Sequence, residues 1–213
     1  MTVEIDWMWH ALSQARLRPY VEKASGDLTA AAELYWWNVD ISAAFYAPLQ
    51  CFEVALRNAV HSQLVLSYGR VDWWAIAPLQ EVSQRLVGAA CRQAASAPRE
   101  GTADDVVTEL TLGFWVALLS RRYDRTLWVP HLHEAFPHYR GPRRRLHEEL
   151  ETIRLFRNRI MHHEPIHYRH LEADHRTILR VLRYVSPEMA SHPAVTTAVE
   201  VVLQRRPPVL EGC

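Results

Sequence analysis

Residues 143–165 read RRRLHEELETIRLFRNRIMHHEP, and the rhythm of their apolar positions decides the fold class. At about 100° per residue, Leu146, Leu150, Ile153 and Ile160 line one stripe of a helix predicted over residues 143–162. Pro165 biases Glu164 away from helical geometry, so the helix closes near His163 and leaves the His pair at its terminus. Arg157 falls in the middle of the apolar stripe. A guanidinium facing a core needs an anionic or hydrogen-bonding partner, because an unpaired one costs several kcal/mol. Three placements stand: a pair with a buried carboxylate, a place in an anion site, or a helix phase that departs from the ideal.

The same periodicity runs through nearly the whole chain, and no stretch shows the sustained alternation of a strand. Asp27 is placed to cap a helix over 28–37, and Asp40 a long one from 41 to about 67, closed by Gly69. Pro48 lies inside that long helix and should kink it. A helix over about 80–95 ends before Ala97-Pro98-Arg99-Glu100-Gly101, the best loop in the chain. Asp104 or Asp105 then caps an apolar helix reaching Leu119. A connector bearing Pro and His (129–142) leads into the Arg143 helix, and two shorter helices follow, roughly 169–184 and 193–203. With no internal repeat and no compositional break, the expectation is an all-α bundle in a single domain over 1–213.

Composition narrows the class. The 213 residues are 49% apolar and 23% charged, with eight Trp and only seven Gly, which excludes disordered, collagenous and low-complexity chains. The longest apolar run, residues 110–119, is too short to span a bilayer, and residues 1–6 lack the basic start of a signal peptide. Cys51, Cys91 and Cys213 form no C-x-x-C pair, hence neither a disulfide framework nor a zinc ribbon, and Cys51 and Cys91 read as buried. The chain therefore reads as soluble and cytoplasmic. Net charge is zero, but residues 1–120 carry 8 Lys and Arg against 13 Asp and Glu, and residues 121–213 carry 16 against 11. Ten of the twelve His also follow residue 120. A basic, His-rich C-terminal half points mildly to a polyanion.

The chemistry concentrates at 157–163. Asn158 and His162 lie four apart and share a neighbouring face. His gives or takes a proton near neutral pH, and Arg holds a phosphate while charge builds on it. Together they suit attack of a ribose 2′-OH on its own phosphate, which needs no metal and is one among several chemistries these residues could serve.

Arg157-Asn158-Arg159-Ile160-Met161-His162 resembles the R-x4-6-H motif of the HEPN superfamily. The longer string Arg157 to Ile166 (RNRIMHHEPI) is similar to the signature of its Abi-like, abortive-infection branch. Leu34-Tyr35-Trp36-Trp37-Asn38 with Ser42, Phe45 and residues 53–58 (EVALRN) resembles that family's N-terminal block. Residues 112–120 with Trp128 and Phe136 resemble its middle block. The resemblance spans roughly 10–185, leaving 186–213 as a C-terminal helix and tail. It implies a HEPN-like helical bundle that dimerises and brings two motifs together in a composite interface site. It also implies a metal-independent endoribonuclease, without cofactor, that leaves 2′,3′-cyclic phosphate and 5′-hydroxyl ends and serves in phage defence or as a toxin. RNA is then the substrate, and an antitoxin or regulatory RNA a further partner. By the same resemblance Arg157 holds the phosphate, Asn158 is the polar residue after it and His162 is catalytic, with His163 as the alternative. Met161 stands where related strings often carry Ala.

Other features carry two readings each. Glu53, Arg57 and His61 form a polar row beside an apolar face of Ile41, Phe45, Phe52, Ala55 and Ala59. The row is either a solvated Glu53–Arg57 pair or a second line that orients Arg157 or RNA. Arg143-Arg144-Arg145 and Arg159 could touch phosphates, although three Arg at a helix start oppose its dipole, and a solvated face explains them equally. Trp36-Trp37 and Trp73-Trp74 could stack bases but suit core packing better. His162, His163, Glu164, His167 and His170 lack a metal-binding spacing, because Pro165 interrupts the helix that would align them. The alternative to a nuclease is a catalytically silent HEPN module that binds RNA or a protein partner.

Overall fold

The computed structural model describes residues 3–96 and 101–210, with residues 3–6 described by backbone only. Residues 97–100 of the loop expected at 97–101, and Cys213, lie outside the described residues. The protein is all-α, and the described residues contain no strand. Helices run in the order α1 (Val3–Leu12), α2 (Gln14–Lys23), α3 (Leu28–Ala44), α4 (Tyr46–Tyr68), α5 (Glu81–Ser96), α6 (Ala103–Glu109) and α7 (Leu112–Ala117). They continue as α8 (Arg143–Met161), α9 (Leu171–Val185), α10 (Pro187–Ser191) and α11 (Pro193–Leu203). α9 packs against α4, α8 and α10, α3 against α2 and α11, and α7 against α8. Buried side chains from α2 through α11 join one continuous core.

Several ends follow local chemistry. Asp27 caps α3, accepting from the Thr29 and Ala30 N–H groups, and Gly69 closes α4 with φ 69°, the left-handed conformation glycine adopts without strain. Other ends differ from expectation. Asp40 caps nothing: α3 continues through it to Ala44, and the break falls at Phe45, three residues before Pro48. Proline lacks an N–H and its ring would strike the carbonyl four residues back, so the helix restarts with Pro48 in its first turn. The cap of α6 is Thr102, in a reciprocal capping box with Asp105, rather than Asp104 or Asp105. The helix expected to reach Leu119 breaks at Leu110, whose extended backbone separates α6 from α7. The 129–142 connector contains a 3-10 turn, Leu132–Ala135, and α1, α2 and α10 are helices that periodicity did not flag.

Leu28–Tyr68, counted through the Phe45 break, has a mean hydropathy of 1.2 over its most apolar window, long and apolar enough to cross a bilayer by composition. The apolar-run reading missed it. Its apolar residues supply the core instead: Leu34, Ile41, Phe45, Leu49, Phe52 and Leu56 are fully buried or nearly so. Ala55 and Ala59 are only half-buried, so the buried face of α4 is Leu49–Phe52–Leu56–Val60–Leu64. Cys51 and Cys91 are half-buried rather than buried.

Candidate functional site

On α8 the buried positions are Leu146, Leu150, Ile153, Phe156 and Ile160. At 3.6 residues per turn Arg157 lies nearer the middle of that stripe than Phe156 does, so packing from other helices, not helix phase, decides which of the two is buried. Phe156 takes the core place, edge-on to Phe45 with ring centres 4.8 Å apart, and Arg157 stands beside it with its side chain 31% exposed. Its Nε donates to Glu53 Oε2 on α4 at 3.1 Å, and the Glu53 side chain is 28% exposed. Neither terminal nitrogen of Arg157 hydrogen-bonds to the described residues. Of the three sequence placements the carboxylate pair is the one observed, with a half-buried rather than buried Glu53, and Arg157 also lines a cavity.

That cavity, of about 450 Å³, lies among Glu53 of α4, the Thr108–Gly113 bend and the outer face of α8. Arg154, Arg157 and Asn158 form its α8 wall, and Arg154 is itself held by Glu151 at 2.7 Å. The sequence reading overlooked Arg154, although its place one turn before Arg157 and Asn158 was visible in the spacing. Nothing local pointed to Thr111, which reaches the cavity because α6 breaks at Leu110.

The His pair occupies the C-terminal end of α8. His162 is the cap and His163 follows with φ 56°. The His163 N–H donates to Ile160 O and the Glu164 N–H to Arg159 O, a Schellman closure whose left-handed position normally belongs to glycine. An Arg16 Nη1 contact to the His163 carbonyl fastens this turn to α2. Both imidazoles are exposed, and neither lines the Arg157 cavity. A step of five residues turns about 140° around a helix, so within one chain Arg157 and His162 face different ways.

The segment after the turn is anchored from α3. Buried Asn38 accepts from the Ile166 and His167 N–H groups at 2.8 and 3.2 Å. An amide in the middle of an otherwise apolar helix face was the sequence signal for this role. His167 is 7% exposed, packs on Tyr20 and has no hydrogen-bond partner for either ring nitrogen among the described residues. Burial, with Lys23 adding to it, pushes its pKa down to about 4, so it stays neutral.

The remaining residues singled out in the sequence separate clearly. Glu53 pairs with Arg157 and not with Arg57, whose Nε is buried without a partner among the described residues. His61 accepts from Trp73 Nε1 at 3.1 Å, and burial lowers its pKa in keeping with a neutral acceptor. Arg143 corrects the solvated reading: only 12% exposed, it binds Asp124 Oδ1 at 2.7 Å and the Leu119 carbonyl at 2.6 Å. Arg144 and Arg145 do lie on the surface, each paired four residues on with Glu148 and Glu149. Arg159 contacts Glu164 at 3.1 Å and covers the Tyr168 ring. Trp37 and Trp73 belong to the core, whereas Trp36 is exposed.

Fold and site together define an all-α protein with a polar cavity lined by Arg154, Arg157, Glu53 and Glu109, and two exposed imidazoles at one helix end. No family model matches the chain, and no curated protein or solved structure matches it either.

Proposed function

We propose that this chain is a metal-independent endoribonuclease of the HEPN type, Abi-like in its motif, acting as a homodimer in phage defence or as a toxin. The observation that carries the proposal is the state of Arg157. Glu53 holds it through Nε alone, which leaves both Nη groups for the non-bridging oxygens of a phosphate. Charge builds on those oxygens as the reaction proceeds, and a positioned guanidinium stabilises it. His162 takes the proton of a ribose 2′-OH as the 2′ oxygen bonds to phosphorus. The bond from phosphorus to the 5′ oxygen breaks, that oxygen takes a proton, and the products are a 2′,3′-cyclic phosphate and a 5′-hydroxyl. Because His162 lies outside the cavity of its own chain, the composite site needs a second copy.

The same separation favours a second reading, a silent module that binds RNA or a protein partner. Incubation of a labelled single-stranded RNA with excess EDTA decides between them. Wild type should cleave to cyclic-phosphate ends and His162→Ala should not, with His163→Ala reporting whether the neighbouring imidazole substitutes. RNA binding without cleavage by wild type would leave the silent module.

A further inference from the structure

A cavity of about 670 Å³ lies along α3, between α1 and the 202–208 segment, and shares no lining residue with the Arg157 cavity. Three of the eight tryptophans line it: Trp7 from α1, and Trp36 and Trp37 from α3. Trp7 and Trp36 are 48% and 47% exposed, and their ring centres lie 6.4 Å apart with planes inclined at 35°. Scattered exposed aromatics are ordinary, but two touching indoles walling one cavity are not explained by core packing. Glu33 and Asp40 stand on the same face of α3, one turn either side of the Trp36–Trp37 pair, and line the cavity too. Neither carboxylate has an ion pair or hydrogen bond among the described residues. Of the two arginines present, Arg206 is engaged elsewhere: its Nη2 bonds Glu172 at 2.8 Å while its guanidinium lies 5.8 Å from the Trp37 ring centre. That internal contact already shows a tryptophan of this cavity carrying a cation. Arg205 is left as the only other cationic side chain lining the cavity.

The faces of indole rings attract cations, and alkylated ammonium groups are recognised by aromatic walls with carboxylates nearby. We propose that this cavity binds a small organic cation with an alkylated ammonium head, seated against Trp7 and Trp36 and faced by Glu33 and Asp40. With Arg206 committed to Glu172, the unpaired Glu33 and Asp40 outnumber Arg205 and weigh against a phosphate-bearing ligand such as a nucleotide, which would otherwise suit a stacking pair. The site is independent of the proposed nuclease reaction.

The test is calorimetric titration of the full chain at constant ionic strength with choline, with its neutral isostere 3,3-dimethylbutan-1-ol and with AMP. Choline should give a saturable heat, and the neutral alcohol should bind about tenfold more weakly. Trp36→Ala should cost about tenfold in choline affinity, Trp36→Phe less, and Glu33→Gln with Asp40→Asn about threefold. All three positions are exposed, and far-UV circular dichroism checks that the variants remain folded. Phosphatidylcholine vesicles tell whether the same head is taken from a lipid: a heat with vesicles that Trp36→Ala abolishes supports the cation site and assigns that source. Absence of saturable choline binding, equal binding of the neutral alcohol, preference for AMP, or affinity unchanged in Trp36→Ala would each overturn the proposal.

Discussion

The two ends of α8 carry similar residues and put them to different use. At the N-terminal end Arg143 is turned inward against Asp124 and the Leu119 carbonyl, and Arg144 and Arg145 are each satisfied one turn on by Glu148 and Glu149. At the C-terminal end Arg157 reaches across to Glu53 on another helix, keeps its terminal nitrogens uncommitted and lines a cavity. His162 and His163 stand in solvent beyond it. An arginine run is therefore no guide to function by itself. What separates Arg157 from Arg143, Arg144 and Arg145 is that its pair with Glu53 borders the cavity between α4 and α8.

Substitutions test this contrast most sharply at the cavity. Arg157→Ala should reduce RNA cleavage by at least about a hundredfold, in the range of losing one positioned charge donor. Single-turnover kinetics measure it, and unchanged cleavage would remove Arg157 from the site. Arg157→Ala should not stabilise the fold, as it would for an unpaired core cation, because Glu53 already answers the charge.

The segment behind the C-terminal end should show its burial in the pH dependence of stability. His167 binds a proton near pH 6.5 when unfolded and only near pH 4 when folded. Between those values the unfolded state holds the extra proton, so stability present above pH 6.5 is lost as pH falls toward 4, by about 3 kcal/mol in all. His175 and His147 are also lowered by burial and add in the same direction. Denaturant unfolding across this window should be steep in wild type and flatter in His167→Leu.

At the N-terminal end Arg143→Ala should destabilise by about 2 kcal/mol, since it strips partners from Asp124 and from a carbonyl, while leaving cleavage intact. His163→Gly should stabilise by about 1 kcal/mol by relieving the left-handed turn. Its cleavage rate then shows whether the strained imidazole has a part in the chemistry. The smallest effect belongs to Arg144→Ala with Arg145→Ala, which should leave melting temperature and cleavage unchanged. A loss of RNA affinity there would turn the N-terminal end into a phosphate contact after all.

Legibility followed the range of the interaction. Asp27, Gly69 and the Pro193 start are satisfied within one turn of themselves, and the chain alone marks them. Asp40 and Asp104 have the right side chain for a cap, but α3 runs on through Asp40 to its end at Phe45, and Thr102 with Asp105 takes the cap of α6. Arg154 was legible and passed over, while Thr111 was not legible at all.

The sequence by itself determined an all-α chain, the extent of α8, and the placing of Arg157, Asn158 and two histidines at one helix end. Those follow from periodicity, proline and capping, which are properties of neighbouring residues. Only the tertiary structure decided that Phe156 rather than Arg157 enters the core, that Glu53 leaves Arg57 for Arg157, and that Asn38 anchors the chain after the His turn. It also decided that two tryptophans meet over a cavity that no α8 residue lines. Each of these joins residues widely separated in the chain, and packing against a shared core sets which pairs come within reach.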